Sequence, residues 1–227
     1  MTEHADDVLN TLNEFISFLN QQIGMYIDAL AGFAGHHTQI ELQMHRVNRP
    51  VERRIEDGMQ VVVWASYEDS TKPQIIHNRI IRASDYLKAN SPGGSNEQQH
   101  ARAILIFIFT FWEDVVRPGL ASIKNVDPNQ IKSNIIGDLR ILRHAILHAK
   151  GIVRKEEHRR LKVLGSIVQA DNQIHLPHEA MKEIFILINQ DCAKLMFEWL
   201  DVEHTLAKPE DILDFAIQRP PTSQGAA

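Results

Sequence analysis

The sequence predicts a mainly α protein: a helical bundle with a long N-terminal helix and one or two small β-hairpin or strand additions. Three observations predict it. Val8, Leu12, Phe15, Leu19, Ile23, Tyr26, Leu30 and Phe33 recur at steps of three and four, the spacing of one apolar helix face. Residues Ile104–Trp112 (ILIFIFTFW) are apolar almost all round, as in a helix buried at the centre of a fold. Met181, Ile184, Ile188, Leu195 and Trp199 fall near one face of a further helical stretch.

Taken in order, the first stripe can continue through His37, Ile40, Met44 and Val47. Gly32 and Gly35 weaken a helix there by about 1 kcal/mol each relative to Ala. The expectation is one helix of about forty residues or two with a bend near Gly35, ended by Pro50. Arg46, Arg49, Arg53 and Arg54 follow as a basic cluster. Gln60–Ala65 (QVVVWA) is short and β-branched and reads as a strand. Ile75–Ala89 returns to helical spacing through Ile76, Ile80 and Tyr86, and Asn90–Asn96 (NSPGGSN) is a loop.

The second major helix is expected over Glu97–Ile123, kinked or ended by Pro118. Asp127 before Pro128 reads as a cap with proline at the first helical position. A third helix is expected from Pro128 to about Lys150, with Gly151 as its C-terminal glycine. Ser166–Gln169 and Gln173–Leu176 flank Ala170-Asp171-Asn172 as a small hairpin would, though without the favoured Asn-Gly pair. The last major helix is expected over Pro177–Asp201, and a short one over Pro209–Ile217. Residues 1–218 then form one domain with its core at about 97–202, and 219–227 form a disordered tail.

Composition bounds the function. The chain has 227 residues, 44% of them apolar, which can build a core and excludes global disorder. Lone Cys192 excludes a disulfide framework and a cysteine zinc site, and fits a reducing, cytoplasmic setting. The start, MTEHADD, is acidic where a signal peptide needs positive charge. The apolar run Ala103–Trp112 is about half of the ~20 residues a membrane span needs. A net charge of −5 gives no global attraction to nucleic acid, so such a role must rest on a local patch.

Chemistry concentrates in Gly137–Gly151 (GDLRILRHAILHAKG). Ile141, Leu142, Ala145, Ile146 and Ala149 crowd one side, Arg140, His144 and His148 step by four along another, and Arg143 lies between. Three readings compete. The first is a solvated face. The second is a metal site, since His144 and His148 at i,i+4 can reach one ion. No Glu stands between them, however, and Arg140 and Arg143 oppose a divalent cation. His36-His37 and the pair His175 and His178 have no obvious third ligand. No metal and no cofactor is therefore expected.

The third is acid–base chemistry on a phosphodiester. Arginine presents a planar fork that matches phosphate, and histidine exchanges protons near neutral pH. RNA carries its own nucleophile, the 2′-hydroxyl. A His can handle protons at the 2′ or 5′ oxygen while an Arg stabilises charge on five-coordinate phosphorus. The products would be a 2′,3′-cyclic phosphate and a 5′-hydroxyl.

Arg143 to His148 is R-x4-H, with a polar residue directly after the arginine, and the preceding helix carries Trp112-Glu113-Asp114 and Arg117. In these features roughly Glu97–Leu200 resembles the HEPN superfamily of ribonucleases. The W-E-x-x-x-R element is similar to that of an uncharacterised bacterial HEPN-like subgroup. Position 150 is Lys, so the R-x4-H-x-Y form of antitoxin-regulated members is not matched. The resemblance implies an all-α bundle and a metal-independent endoribonuclease in a bacterial toxin or phage-defence setting. Arg143 and His148 would be catalytic with His144 assisting, and Glu113, Asp114, Arg117 and Arg140 supporting. A cognate antitoxin or regulator protein is an implied partner. Residues five apart on a helix are about 140° out of phase, so Arg143 and His148 cannot converge within one straight helix. The family's answer is a homodimer that shares one cleft across a two-fold axis.

Glu113 and Asp114 are open to two readings, a structural salt bridge to Arg117 or Arg140, or the orienting of Arg143 by Glu113. Lys150–Lys162 carries six basic residues (Lys150, Arg154, Lys155, Arg159, Arg160 and Lys162) against two acidic ones. The first five are the expected RNA contacts, with a solvated charged turn as the bland alternative. The function alternative is a non-catalytic HEPN-like dimer module that binds RNA or protein.

Overall fold

The computed structural model describes residues 3–47, 61–67 and 76–200 of the chain. It is mainly helical, with one two-stranded sheet among the described residues. The expected short helix at Pro209–Ile217 and the tail at 219–227 lie outside them.

Helix α1 spans Glu3–Val47 without a break. Gly32 and Gly35 lie within it, so the single long helix holds rather than a bent pair. Val8, Leu12, Phe15, Leu19 and Tyr26 are buried, and this stripe packs α1 against the helices that follow. Strand β1, Val61–Tyr67, pairs antiparallel with β2, Ile76–Arg82, with Val61 opposite Arg82 and Tyr67 opposite Ile76. The helix expected to begin at Ile75 is thus a strand as far as Arg82. Ile76 and Ile80 are four apart, which satisfies both the helical and the strand period, and pairing with β1 decides between them. Helix α2 covers only Ala83–Asn90.

Helix α3 spans Ser95–Phe111, and α4 spans Arg117–Lys124. Between them Trp112–Val116 forms a π-helical turn, in which the Arg117 N–H bonds the Trp112 carbonyl. Pro118 is the second residue of α4, directly after the π turn, and helical backbone runs on through it to Lys124, so it does not end the helix. Phe15 meets the Trp112 ring edge-on at 5.4 Å, and Phe18 stacks on Phe111 at 4.2 Å, which locks α1 to this turn.

The third helix begins later than expected. Asp127 does cap, but the turn it caps is a short 3-10 turn, Pro128–Gln130, through the Asn129 N–H at 2.7 Å. Helix α5, Asn134–His148, has its own cap: the Ser133 hydroxyl accepts from the Ile136 N–H at 3.1 Å. Lys150 and Gly151 then take left-handed conformations, and the Gly151 N–H bonds the Ala145 carbonyl. Helix α6, Lys155–His158, is short, and α7 spans His178–Leu200.

The hairpin expected around Ala170–Asn172 does not form. Gln173 instead bridges to Ile152, the Ile174 N–H bonds Gly151, and Gln98 of α3 makes two hydrogen bonds with the backbone of Leu176. A buried Gln that satisfies both backbone groups of Leu176 removes the need for a local partner strand. No described helix is long and apolar enough to cross a membrane.

Candidate functional site

Helix α5 carries the motif because its sequence divides into two faces. Ile135, Ile136, Asp138, Leu139, Leu142 and Ala145 are buried, and through them α5 packs on α3 and α7. Arg140, His144 and His148 are exposed, and Arg143 is half-buried. The two histidine rings lie 5.1 Å apart at 47°. The Nδ1 of His144 is 3.6 Å from Oε1 of Glu157 on α6, a partner that no pattern within α5 announces. No described hydrogen bond or ring contact joins Arg143 to His148.

The arginines differ in what holds them. Glu113, on the π turn, takes Arg117 on one carboxylate oxygen at 2.9 Å and Arg140 on the other at 3.1 Å. That carboxylate is therefore a structural bridge between the π turn and α5, and it does not reach Arg143. Arg143 stands with its guanidinium carbon 5.5 Å from the Phe109 ring centre, and Arg140 flanks the same ring at 6.0 Å. The Nε of Arg143 is buried without a hydrogen-bond partner, and no described carboxylate pairs with this side chain. Asp114 is exposed and forms no ion pair among the described residues.

The expected basic segment divides. Lys150, Arg154 and Lys155 are exposed around the end of α5 and the start of α6. Arg159, Arg160 and Lys162 instead line a cleft of about 680 Å³ at the opposite end of α5. Arg117, Lys132 and Arg140 line it too, with Glu113 and Asp138 as its acidic members. Lys132 and Gly137 had no role in the sequence reading. Asp138 is 1% exposed, and its two oxygens accept the backbone N–H groups of Lys162, Val163 and Leu164 at 2.7–3.0 Å. The basic turn is thus fastened to α5 by a charged side chain facing inward.

Several other histidines have structural partners. The Nδ1 of His36 is 2.9 Å from the Tyr86 hydroxyl. The Nε2 of His158 faces the carbonyls of Gly165 and Val168 at 3.1 and 2.7 Å, so that nitrogen carries the proton. His100 and His178 stack on Tyr26 at 6.2 and 5.9 Å. Among the described residues no three His, Cys, Asp or Glu side chains gather as a metal site would require.

No protein-family profile, curated protein or solved structure matches the chain.

Proposed function

We propose that the chain is a metal-independent endoribonuclease of the HEPN type that acts as a homodimer in a bacterial toxin or phage-defence setting. One observation carries the reading. Arg143 is held against Phe109 with no described carboxylate on it, on the same helix as the exposed His148, whereas Arg117 and Arg140 are both tied to Glu113. An unpaired guanidinium retains its affinity for phosphate.

The motif helix itself supports association. Leu147, between Arg143 and His148, is 48% exposed. A large apolar side chain left open on the motif helix suits a two-fold contact that brings two copies of α5 side by side. In the shared cleft, a His148 imidazole would take the proton from the RNA 2′-hydroxyl as the O2′–P bond forms. Arg143 would stabilise the charged phosphorane. A proton from a second imidazole, His144 or the other copy of His148, would go to O5′ as the P–O5′ bond breaks. The products are a 2′,3′-cyclic phosphate and a 5′-hydroxyl, and no metal takes part.

The test is cleavage of labelled RNA in EDTA with end-group analysis of the products. His148→Ala should lower the rate by about 10²-fold or more, with the circular dichroism spectrum unchanged. Wild-type activity in that variant ends the assignment. RNA that is bound but left intact by the wild-type chain favours the non-catalytic module instead.

A further inference from the structure

The cleft beyond the motif is not needed for the bond-breaking step, yet it gathers more positive charge than any part of the motif. Six cations line it: Arg117, Lys132, Arg140, Arg159, Arg160 and Lys162. Its two carboxylates are already committed. Glu113 is held by Arg117 and Arg140, and Asp138 is buried on three backbone N–H groups. Lys132, Arg159 and Arg160 are exposed and form no ion pair with a described residue. Such a concentration of like charge repels itself, and a polyanion relieves it. The cleft's volume of about 680 Å³ lies within the range of ligand sites, and Ile131, Ile141 and Leu161 supply apolar wall.

We infer that this cleft is a second, non-catalytic subsite that holds the sugar–phosphate backbone of an RNA strand running along α5 from the motif. Gly137 in the cleft and His148 in the motif are eleven residues apart on one helix, a rise of ~16 Å. At 3.4 Å per nucleotide of stacked strand, that is about five nucleotides. The choice of RNA as the strand rests on the ribonuclease reading; the existence of a polyanion subsite does not. The cleft side chains contact phosphate rather than the scissile bond, so they act on binding and leave the chemical step alone.

Gly137 offers a direct probe. It lines the cleft, and a Cβ built there meets nothing within 4 Å. Gly137→Glu adds a carboxylate at the cleft wall, starting from an unobstructed Cβ and removing no side-chain contact. The probe is a fluorescein-labelled 12-residue 2′-O-methyl oligouridylate, which lacks the nucleophile, so binding is read apart from cleavage. Gly137→Glu and the double variant Arg159→Glu/Arg160→Glu should each weaken binding tenfold or more. Loss of two phosphate contacts should flatten the salt dependence of log K by about 1.4. Lys88→Glu makes the same charge reversal as one of those changes on α2, outside the cleft, and should weaken binding less than threefold. If the wild-type chain cleaves RNA, the cleft variants should raise KM and leave kcat unchanged. Unaltered binding in the cleft variants, or an equal loss in Lys88→Glu, overturns the inference. So does competition by free ATP at concentrations matching the oligomer, which would mark a mononucleotide site. Wild-type cleavage by His148→Ala would remove the nuclease reading and leave these binding outcomes standing.

Discussion

The carboxylate of Asp138 accepts the backbone N–H of Leu164 at 2.8 Å, twenty-six residues downstream, inside the protein. The same side chain takes the N–H groups of Val163 and Lys162. One residue thereby positions the turn that carries Arg159, Arg160 and Lys162. An unsatisfied buried donor costs about 1–3 kcal/mol, and Asp138→Ala strands up to three. The expected loss is about 3 kcal/mol or more in urea unfolding. Asp138→Asn keeps one acceptor oxygen and should lose less. Equal stability of the alanine variant and wild type would refute this role.

Two glycines should respond in opposite directions. A Cβ at Gly94 would lie 2.6 Å from the carbonyl oxygens of Ala89 and Lys88, so Gly94→Ala must push backbone apart. It should cost roughly 1–3 kcal/mol. At Gly137, within α5, nothing obstructs a side chain, and Gly137→Ala should add about 0.5–1 kcal/mol through helix propensity. Thermal melts of the two variants side by side give the comparison, and shifts of the same sign would contradict the local packing.

Cys192 is 1% exposed, and burial, together with the nearby Asp191 charge, pushes its thiol up to about 12. The thiolate is the reactive form. A disulfide exchange reagent at pH 8 should therefore leave the native protein unlabelled and react fully in guanidinium chloride. Rapid labelling of the native chain would show that α7 is not seated as described.

Burial raises the pKa of Asp191 on α7, against the opposing pull of the Ser133 hydroxyl and Lys194. The sign follows from linkage. A carboxyl with a raised folded pKa favours the fold below its ordinary range near pH 4, and that contribution is lost as pH rises through the raised value. At pH 7 its charge therefore costs stability. Asp191→Asn should melt a few degrees higher at pH 7, with the advantage shrinking towards pH 3. A gain that grows as pH falls would reverse the argument.

The motif residues Arg143, His144 and His148 were legible because they crowd one helical stretch between two aligned apolar stripes. The π turn was not. Trp112–Val116 keeps helical spacing through Trp112 and Val116, and apolar pattern alone does not distinguish a five-residue hydrogen-bond step from a four-residue one. Residues Ile76–Arg82 were misread for a related reason: a spacing of four belongs to both periods, and only β1 broke the tie. The segment Ser166–Leu176 was misread because its partners, Gln98 and Gly151–Val153, are distant in the chain.

By itself the sequence determined the helical character, the long first helix, the buried stripes and the position of Arg143 and His148 on α5. These depend on neighbours three or four residues away, and periodicity encodes them. Only the tertiary structure decided that Glu113 serves Arg117 and Arg140, that Arg143 rests on Phe109, and that the basic segment splits between the two ends of α5. Those outcomes turn on contacts between residues up to dozens of positions apart, chosen by which buried groups must be satisfied. Asp138 shows the reason most plainly. Nothing beside it in the sequence marks it for burial, and its three backbone partners exist only once the chain has folded back over α5.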